Sequence, residues 1–338
     1  MAAEKCGKHS FRFNSPPVIT TWACVGGAKE FEGPLGYCLD GVTKGTSSSK
    51  LTWEQKEQQL QKETLEKLAQ KAGCTVHDFE LVLSGDLLNQ CIGSSFALRN
   101  SGIAHLGLYG ACSTMAESML IGSVLASGGC FDNVVAMTSS CFPSAEKQYR
   151  FPLGYGGQRT PTAQWTVTGS GAVRISRSGC GPLITSATVG SIVDLGICDA
   201  NNMGAAMAPA ALNTITMHFL DTGSSPDDYD LIITGDLGQV GKELLAILAQ
   251  KQGIKLGGKL MDCGTMIFDP LSQDVHAGGS GCGCSAVVMC GYFLEKLLRK
   301  KYKRILFCGT GALLSPISIQ QGLSIPGVCH AVSIEGAK

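Results

Sequence analysis

Residues 78–87 read Asp-Phe-Glu-Leu-Val-Leu-Ser-Gly-Asp-Leu, and residues 228–237 read Asp-Tyr-Asp-Leu-Ile-Ile-Thr-Gly-Asp-Leu. All ten positions are identical or chemically close. Each copy is a short apolar run closed by Ser/Thr-Gly-Asp, the pattern of a parallel strand buried on both faces. A second echo follows each copy. Gly110-Ala-Cys-Ser-Thr114 opens a helical stretch leading to the strand-like Asn133–Met137, and Gly281-Cys-Gly-Cys-Ser285 opens another leading to Arg304–Cys308. A repeat this long exceeds any solenoid unit and implies two similar halves of one body, with a pseudo-twofold seam where ligand sites form.

Working outward, Thr52 is placed to cap a helix that ends at Gly73, with Leu60, Leu65, Leu68 and Ala72 on one face. The stretch from Val240 to Gln252 repeats this arrangement and stops at Gly253. Alternating strands and helices predict α/β units joined by right-handed crossovers. Two β-rich returns, 167–176 and 182–189, meet at Ser178-Gly-Cys-Gly181. That turn divides the chain into an N-terminal half, 1–179, and a C-terminal half, 180–338. Residues 143–165 lack periodicity and are expected to form a long functional loop.

Composition limits the function classes. The 27 basic and 27 acidic side chains cancel, so no electrostatic footprint for nucleic acid exists. One basic run, Arg299-Lys-Lys-Tyr-Lys-Arg304, reads as a solvated helix end, with contact to an anionic partner as the other option. Sixteen cysteines lie in apolar contexts without paired CxxC motifs, including Cys130, Cys180, Cys198, Cys290 and Cys308. Most are expected to be small buried side chains in a reducing compartment, with no metal site. No signal core and no apolar run of about 18 residues is present. The expectation is a soluble chain, cytoplasmic or peripherally bound to a membrane.

Cys112 lies where a glycine-flanked turn becomes a helix, with Ser113, Thr114 and Glu117 in the first turn. Unpaired N–H groups and positive potential there favour a thiolate and bind anions. The other reading is a small residue that packs at a strand-to-helix turn.

The duplication, Gly110-Ala-Cys-Ser-Thr114, Gly169-Ser-Gly-Ala-Val173 and Gly278–Ser285 together resemble the thiolase superfamily, including its 3-oxoacyl synthase III branch. That resemblance implies two βαβαβαββ halves in a five-layered αβαβα body, with the nucleophilic cysteine at Cys112. A narrower set of blocks resembles the stage V sporulation protein AD family. It comprises Glu32-Gly-Pro-Leu-Gly36, Gly85-Asp-Leu-Leu-Asn-Gln90, Tyr155-Gly-Gly-Gln158, Thr166–Gly171, Met207-Ala-Pro-Ala-Ala211, Asp228-Tyr-Asp230, Thr234-Gly-Asp-Leu237 and Thr310–Pro316. This family implies binding of dipicolinic acid (pyridine-2,6-dicarboxylate) during endospore formation, beside other stage V sporulation membrane proteins at the forespore or spore inner membrane. The superfamily also implies a homodimer.

Against the synthases, the partner histidine aligns at Gly235 and the partner asparagine at Ser280, and none of the six histidines falls in the matching blocks. Neither substitute shuttles protons near neutral pH. His276 and His218 are the candidates for a rescued catalytic pair. The resemblance therefore implies a non-catalytic ligand-binding protein with Cys112 as a vestigial nucleophile, the alternative being an acyltransferase or condensing enzyme that uses it. Expected ligand contacts are Cys112, Ser113, Asp86, Asn89, Gln90, Gly235, Asp236, Ser280, Gly281 and Cys282, with Gly235 leaving room for a ring. The turns at Cys112–Ser113 and Ser280–Gly283 are expected to offer backbone N–H nests. Lys147, Arg150 and Arg159 are either carboxylate partners or ordinary surface charges. Asp86 and Asp236 either cap helices or meet calcium carried by the ligand. No other cofactor is expected.

Overall fold

The computed structural model describes residues 2–43, 50–149 and 159–337. Ten strands form the framework. In the first half these are β1 (Val18–Gly26), β2 (Leu81–Gly85), β3 (Ala104–Gly107), β4 (Val134–Ser140) and β5 (Gly169–Ser176). In the second half they are β6 (Leu183–Thr188), β7 (Leu231–Thr234), β8 (Leu260–Asp262), β9 (Arg304–Ala312) and β10 (Gly327–Glu335). The first half is ordered β3-β2-β4-β5-β1 and the second β8-β7-β9-β10-β6, the same order with every label raised by five. Pairing types match as well. β2 runs parallel to β3 and β4, as β7 does to β8 and β9, and the last two strands of each half return antiparallel. Val18 pairs antiparallel with Leu183 where the two halves of the sheet meet, and residues 10–12 also pair antiparallel with residues 186–188. The duplicated α/β architecture read from the repeat is the observed one.

The helices that matter are α1 (Trp53–Ala72), α2 (Ile92–Leu98), α3 (Thr114–Ser127), α4 (Phe142–Tyr149), α5 (Met203–Thr222), α6 (Gly238–Lys251) and α7 (Cys282–Val288). α1 begins at a capping box between Thr52 and Gln55 and ends on Gly73 at φ 66°, as the sequence predicts. α6 starts two residues before the expected position. α3 and α7 form the middle layer between the sheets. Apart from Glu117 in the first turn of α3, both are built of apolar or small residues, as burial all round demands, and contribute Met115, Met119, Val287 and Val288 to the main core.

Residues 142–149 are helical, not loop. Pro143 reads as a breaker, but it sits in the first turn, where the missing N–H costs nothing. Residues 165–166 pair with 279–280 as a two-stranded ribbon across the halves. Tyr155–Gln158 and Arg150 lie outside the described residues. The described cysteines are all free, and ten are buried, but Cys130, Cys180 and Cys198 are exposed because they sit in turns and not on the apolar strands beside them. The basic run at 299–304 is a solvated helix end, with Lys300 in a left-handed turn. Among the described residues no helix is long and apolar enough to cross a membrane.

Gly171 on β5 faces α7 so closely that a methyl group there would lie 2.5 Å from the Ala286 carbonyl carbon. Backbone meets backbone, so no side chain can rotate away. Gly171→Ala is expected to remove about 1–3 kcal/mol of stability by overpacking, read from the urea midpoint at unchanged slope. An unchanged midpoint would show that the layers are not in contact here.

Candidate functional site

The site is built at the seam, where the ends of β2, β7 and β9 meet the start of α3. Ala111 takes the left-handed conformation, φ 52°, and turns the chain into α3. Side chains of the same turn hold it: Ser113 Oγ donates to the Gly110 carbonyl at 2.7 Å and Thr114 Oγ1 to the Ala111 carbonyl at 2.7 Å. This places Cys112 on the floor of a cavity of about 100 Å³. Ser280 and Gly281 share that floor. Leu87, Ala145 and Glu146 line it from one group of residues, and Met203, Leu314 and Ile319 from another. Tyr149, Gln164, Thr166 and Asn201 supply further polar edges.

Helix α4 is fixed to this wall through Leu87, whose carbonyl accepts from Tyr149 Oη at 2.7 Å and from Gln148 Nε2 at 2.9 Å. Glu146 on the same helix is buried and accepts from Thr166 Oγ1 at 3.2 Å. Beneath α4, Glu57 receives Ser139 Oγ at 3.1 Å and Ser144 Oγ at 2.7 Å. Burial, then the nearby Asp86 charge, push the Glu57 carboxyl well above the usual range.

Several sequence expectations need correction. The Cys112 thiol is not poised as a thiolate. Burial raises its pKa well above 9, and the adjacent Asp236 charge adds to the shift. A three-residue 3₁₀ turn ahead of α3 does not offset complete desolvation. Asp236 hydrogen-bonds the thiol and is itself pushed up to about 7, again by burial. Its Oδ2 accepts the Gly281 N–H at 2.8 Å and its Oδ1 accepts Thr310 Oγ1 at 3.0 Å. The proposed nest at Ser280–Gly283 is therefore already filled from within, by Asp236 and by Ser140 Oγ, which accepts the Gly283 N–H at 3.1 Å.

Gly235 does not open onto the cavity. A Cβ there would stand 3.0 Å from the Thr310 backbone nitrogen, inside the sheet, so the room assigned to a ring is taken by β9. Asp86 also lies behind the wall, where it accepts Leu88 N–H at 2.9 Å and both the N–H and Oγ of Ser94 at 2.7 Å. Its role is the capping one. Asn89 and Gln90 are exposed; Asn89 bonds Gln148 and Tyr109, and Gln90 sits at φ 60°. Ser113 and Cys282 support the floor without lining it, Cys282 by donating to the Ser139 carbonyl at 2.9 Å. Of the ten expected contacts, the structure brings Cys112, Ser280 and Gly281 to the cavity.

The two described basic residues of the 143–165 stretch are engaged elsewhere. Lys147 pairs with Glu54 at 2.7 Å, and Arg159 stacks on Trp165 and bonds Asp274. Neither histidine reaches Cys112. His276 pairs with Asp274 at 3.2 Å, and His218 is bonded to Thr188 and Tyr229, each at 2.7 Å. No histidine is among the described lining residues. Sequence reasoning missed Glu146, Tyr149, Gln164 and the 200–203 wall, for which no motif signals, and did not assign Ala312 and Leu314 to the site although they lie in the Thr310–Pro316 block. It also missed Asp262, which accepts the N–H groups of Leu237 and Gly238 and fixes the turn after β7. Among the described residues no cluster of three or more His, Cys, Asp or Glu is placed to hold a metal.

Comparison with known proteins now bears on this geometry. The family model for stage V sporulation protein AD matches residues 7–335. The stage V sporulation protein AD of Bacillus subtilis (strain 168) is 44% identical over 331 residues, covering 98% of each chain. Among solved structures, 3-oxoacyl-[acyl-carrier-protein] synthase III from Aquifex aeolicus VF5 aligns with a TM-score of 0.55 at 12% identity, over 94% of this chain and 99% of that one. Cerulenin-bound OleA from Xanthomonas campestris aligns at 0.60 and 14% identity, over 95% of this chain and 96% of that one. At these identities the solved structures establish a shared thiolase-like fold and nothing about chemistry.

The buried acids make stability depend on pH with a definite sign. Folded Glu30 and Asp236 titrate at about 7 and Asp262 at about 6, each raised first by burial. In the unfolded chain such carboxyls titrate near 4, so the stability they contribute is full below that value and is lost as pH rises through 6–7. His218 and His330, lowered to about 4 by burial, act oppositely, but only below their ordinary 6.5. Between pH 8 and pH 7 the buried thiols, raised well above 9 by burial, act in the same direction as the carboxyls, so the sign is unchanged. The thermal midpoint is expected to rise over that descent, and to rise less in Asp236→Asn. A flat midpoint would mean that these carboxyls ionise normally.

Proposed function

We propose that this chain, which belongs to the stage V sporulation protein AD family, is a non-catalytic binding protein for dipicolinic acid that acts in its uptake into the developing endospore. The observation that carries the reading is a cysteine kept protonated on the floor of a cavity. Burial holds the Cys112 thiol well above 9, and its nearest acid, Asp236, sits at about 7. A proton moved from sulfur to that carboxylate travels uphill, so the resting thiol is not ionised by this pair. No imidazole is at hand to receive it among the described lining residues. What survives of a condensing-enzyme site is its shape.

That shape suits a small planar ring. Leu87, Ala145, Met203, Leu314 and Ile319 provide apolar faces, and Ser280, Asn201 and Gln164 provide polar edges. A few placed polar groups in an apolar enclosure are the usual composition of a small-molecule site. The rival reading, an acyltransferase with Cys112 as nucleophile, keeps the same cavity but would have to use Asp236 as its base, since no imidazole is among the described lining residues.

Calorimetry of the whole chain with dipicolinate tests the proposal, and binding at micromolar to millimolar ligand is the expected result. Ser280→Phe should weaken it by about a hundredfold or more, since the ring fills the cavity, while Cys112→Ser should cost at most about tenfold. Incubation with acyl-CoA should leave no adduct on Cys112 by mass spectrometry. An acyl adduct with turnover would establish the transferase in place of the binding protein, and absence of dipicolinate binding would reject the proposal outright.

A further inference from the structure

The duplication supplies a comparison inside the molecule, because pairing registers fix which residues are twins. Val134 lies opposite Leu81 and Ile305 opposite Leu231, so β4 and β9 align with Val134 on Ile305. Across the next ladder Val134 meets Ile175 and Ile305 meets Ile334. Arg174 is thereby the twin of Ser333, Ser176 of Glu335, and Asn133 of Arg304. A shared bulge agrees. Thr20 on β1 and Thr185 on β6 are each the extra residue of their strand, and their hydroxyls donate to the carbonyls of Arg174 at 3.4 Å and Ser333 at 3.5 Å.

Each half carries an arginine at this place, and the second half neutralises its own. Arg304 Nε lies 3.4 Å from Glu335 Oε1 and donates to Ser333 Oγ at 3.2 Å, and its guanidinium stacks on Tyr229. In the first half the guanidinium comes from the other strand: Arg174 Nε donates to Asn133 Oδ1 at 3.0 Å, and Nη2 shares that acceptor. Ser176 takes the place of Glu335, and Arg177 takes the place of Gly336. Two guanidiniums thus stand where the twin has one guanidinium and its carboxylate. Among the described residues neither has a carboxylate within ion-pair distance. The nearby acids are engaged or peripheral. Asp78 accepts the Thr75 N–H at 2.7 Å and its hydroxyl at 2.8 Å, Glu80 accepts the Asp132 N–H at 2.8 Å, and Asp132 is exposed at the rim.

Both arginines line an open cleft of about 580 Å³. It lies at the start of β4 and the end of β5, the opposite end of the strands from the Cys112 cavity. Arg174 is half-buried and held by Asn133, Arg177 stands exposed beside it, and the Thr20 and Ser176 hydroxyls face each other at 3.4 Å. We propose that this cleft binds an oxyanion of the phosphate class, the monoester group of a soluble molecule or of a lipid headgroup, with Arg174 and Arg177 as its charge partners and the hydroxyls of Thr20, Ser176 and Ser178 as further donors. Guanidinium matches phosphate oxygens bidentately, and a dianion with three terminal oxygens uses two cations and several hydroxyls more fully than a carboxylate does. The cleft is far larger than one oxyanion and leaves room for the rest of the ester. This site is independent of the dipicolinate reading.

The test is calorimetry on the full chain at about pH 8, where a phosphate monoester is doubly charged, and at fixed ionic strength. Glycerol 1-phosphate is the soluble monoester and acetate the carboxylate control. A parallel arm measures sedimentation with phosphatidylcholine vesicles, with and without phosphatidic acid. Glycerol 1-phosphate should bind about tenfold or more tightly than acetate. Arg177→Gln, a change at an exposed residue, should weaken that binding about tenfold, and Ser176→Glu should weaken it as much by installing the carboxylate that the second half carries. Thermal midpoints of both variants separate loss of binding from loss of fold. Retention on phosphatidic acid vesicles that both variants lose assigns a lipid headgroup, and binding of the soluble ester without such retention assigns a soluble phosphate ester. The proposal is overturned if the wild-type chain binds neither glycerol 1-phosphate nor the phosphatidic acid vesicles, if acetate binds equally well, or if folded Arg177→Gln and Ser176→Glu bind undiminished.

Discussion

The closeness with which two helices approach two sheets governs everything else in this molecule. A Cβ at Gly169 or Gly171 on β5 would strike Val287 or Ala286 of α7, and a Cβ at Gly309 on β9 would stand 2.6 Å from Ala116 Cβ of α3. At Gly311 the nearest neighbours would include Ser113 N at 3.1 Å. The contacts are crossed. A first-half strand carries the second-half helix at glycine distance, and a second-half strand carries the first-half helix. Interlocking of this kind leaves no clean plane between the halves and draws the starts of α3 and α7 to one point. Cys112 and Gly281 meet on the floor of one cavity because four glycines let them.

Much of this was legible in the sequence, for a definite reason. The twinned strands are buried on both faces, so their side chains form uninterrupted apolar runs closed by Gly-Asp, which no exposed element imitates. The caps of α1 were legible because Thr52, Gln55 and Gly73 each do one local job. The cavity walls were not. Leu87 follows a strand end, Met203 opens α5, and Leu314 and Ile319 lie beyond β9; only tertiary packing brings them together. Helix α4 was hidden by its proline.

The thiol illustrates how a local rule loses to its surroundings. A cysteine at a turn into a helix reads as activated, and the dipole argument behind that reading is sound for an exposed turn. Here the side chain is 7% exposed, packed beside Cys282 and faced by a carboxyl. Desolvation of the charged form outweighs the partial charges of a few N–H groups, one of which is already shared with Asp236. The same desolvation keeps Asp236 close to half protonated at neutral pH, which lessens like-charge repulsion toward an anionic occupant.

The twin aspartates explain why a duplicated fold has one centre and not two. Asp86 and Asp236 end equivalent strands in nearly identical decapeptides, yet they bond in different directions. Asp86 turns back on its own half and binds the start of α2 through Leu88 and Ser94. Asp236 reaches across to Gly281 at the start of α7 and to Thr310 on β9, and so arrives against Cys112. Its capping duty passes to Asp262, which holds the turn at Leu237 and Gly238. The exchange is possible because β8 ends in an aspartate, whereas its twin β3 ends at Gly107 and offers no carboxylate to release Asp86. A one-residue difference at the end of a short strand thus frees one carboxyl of a symmetric pair to build the polar floor, and confines the other to the scaffold.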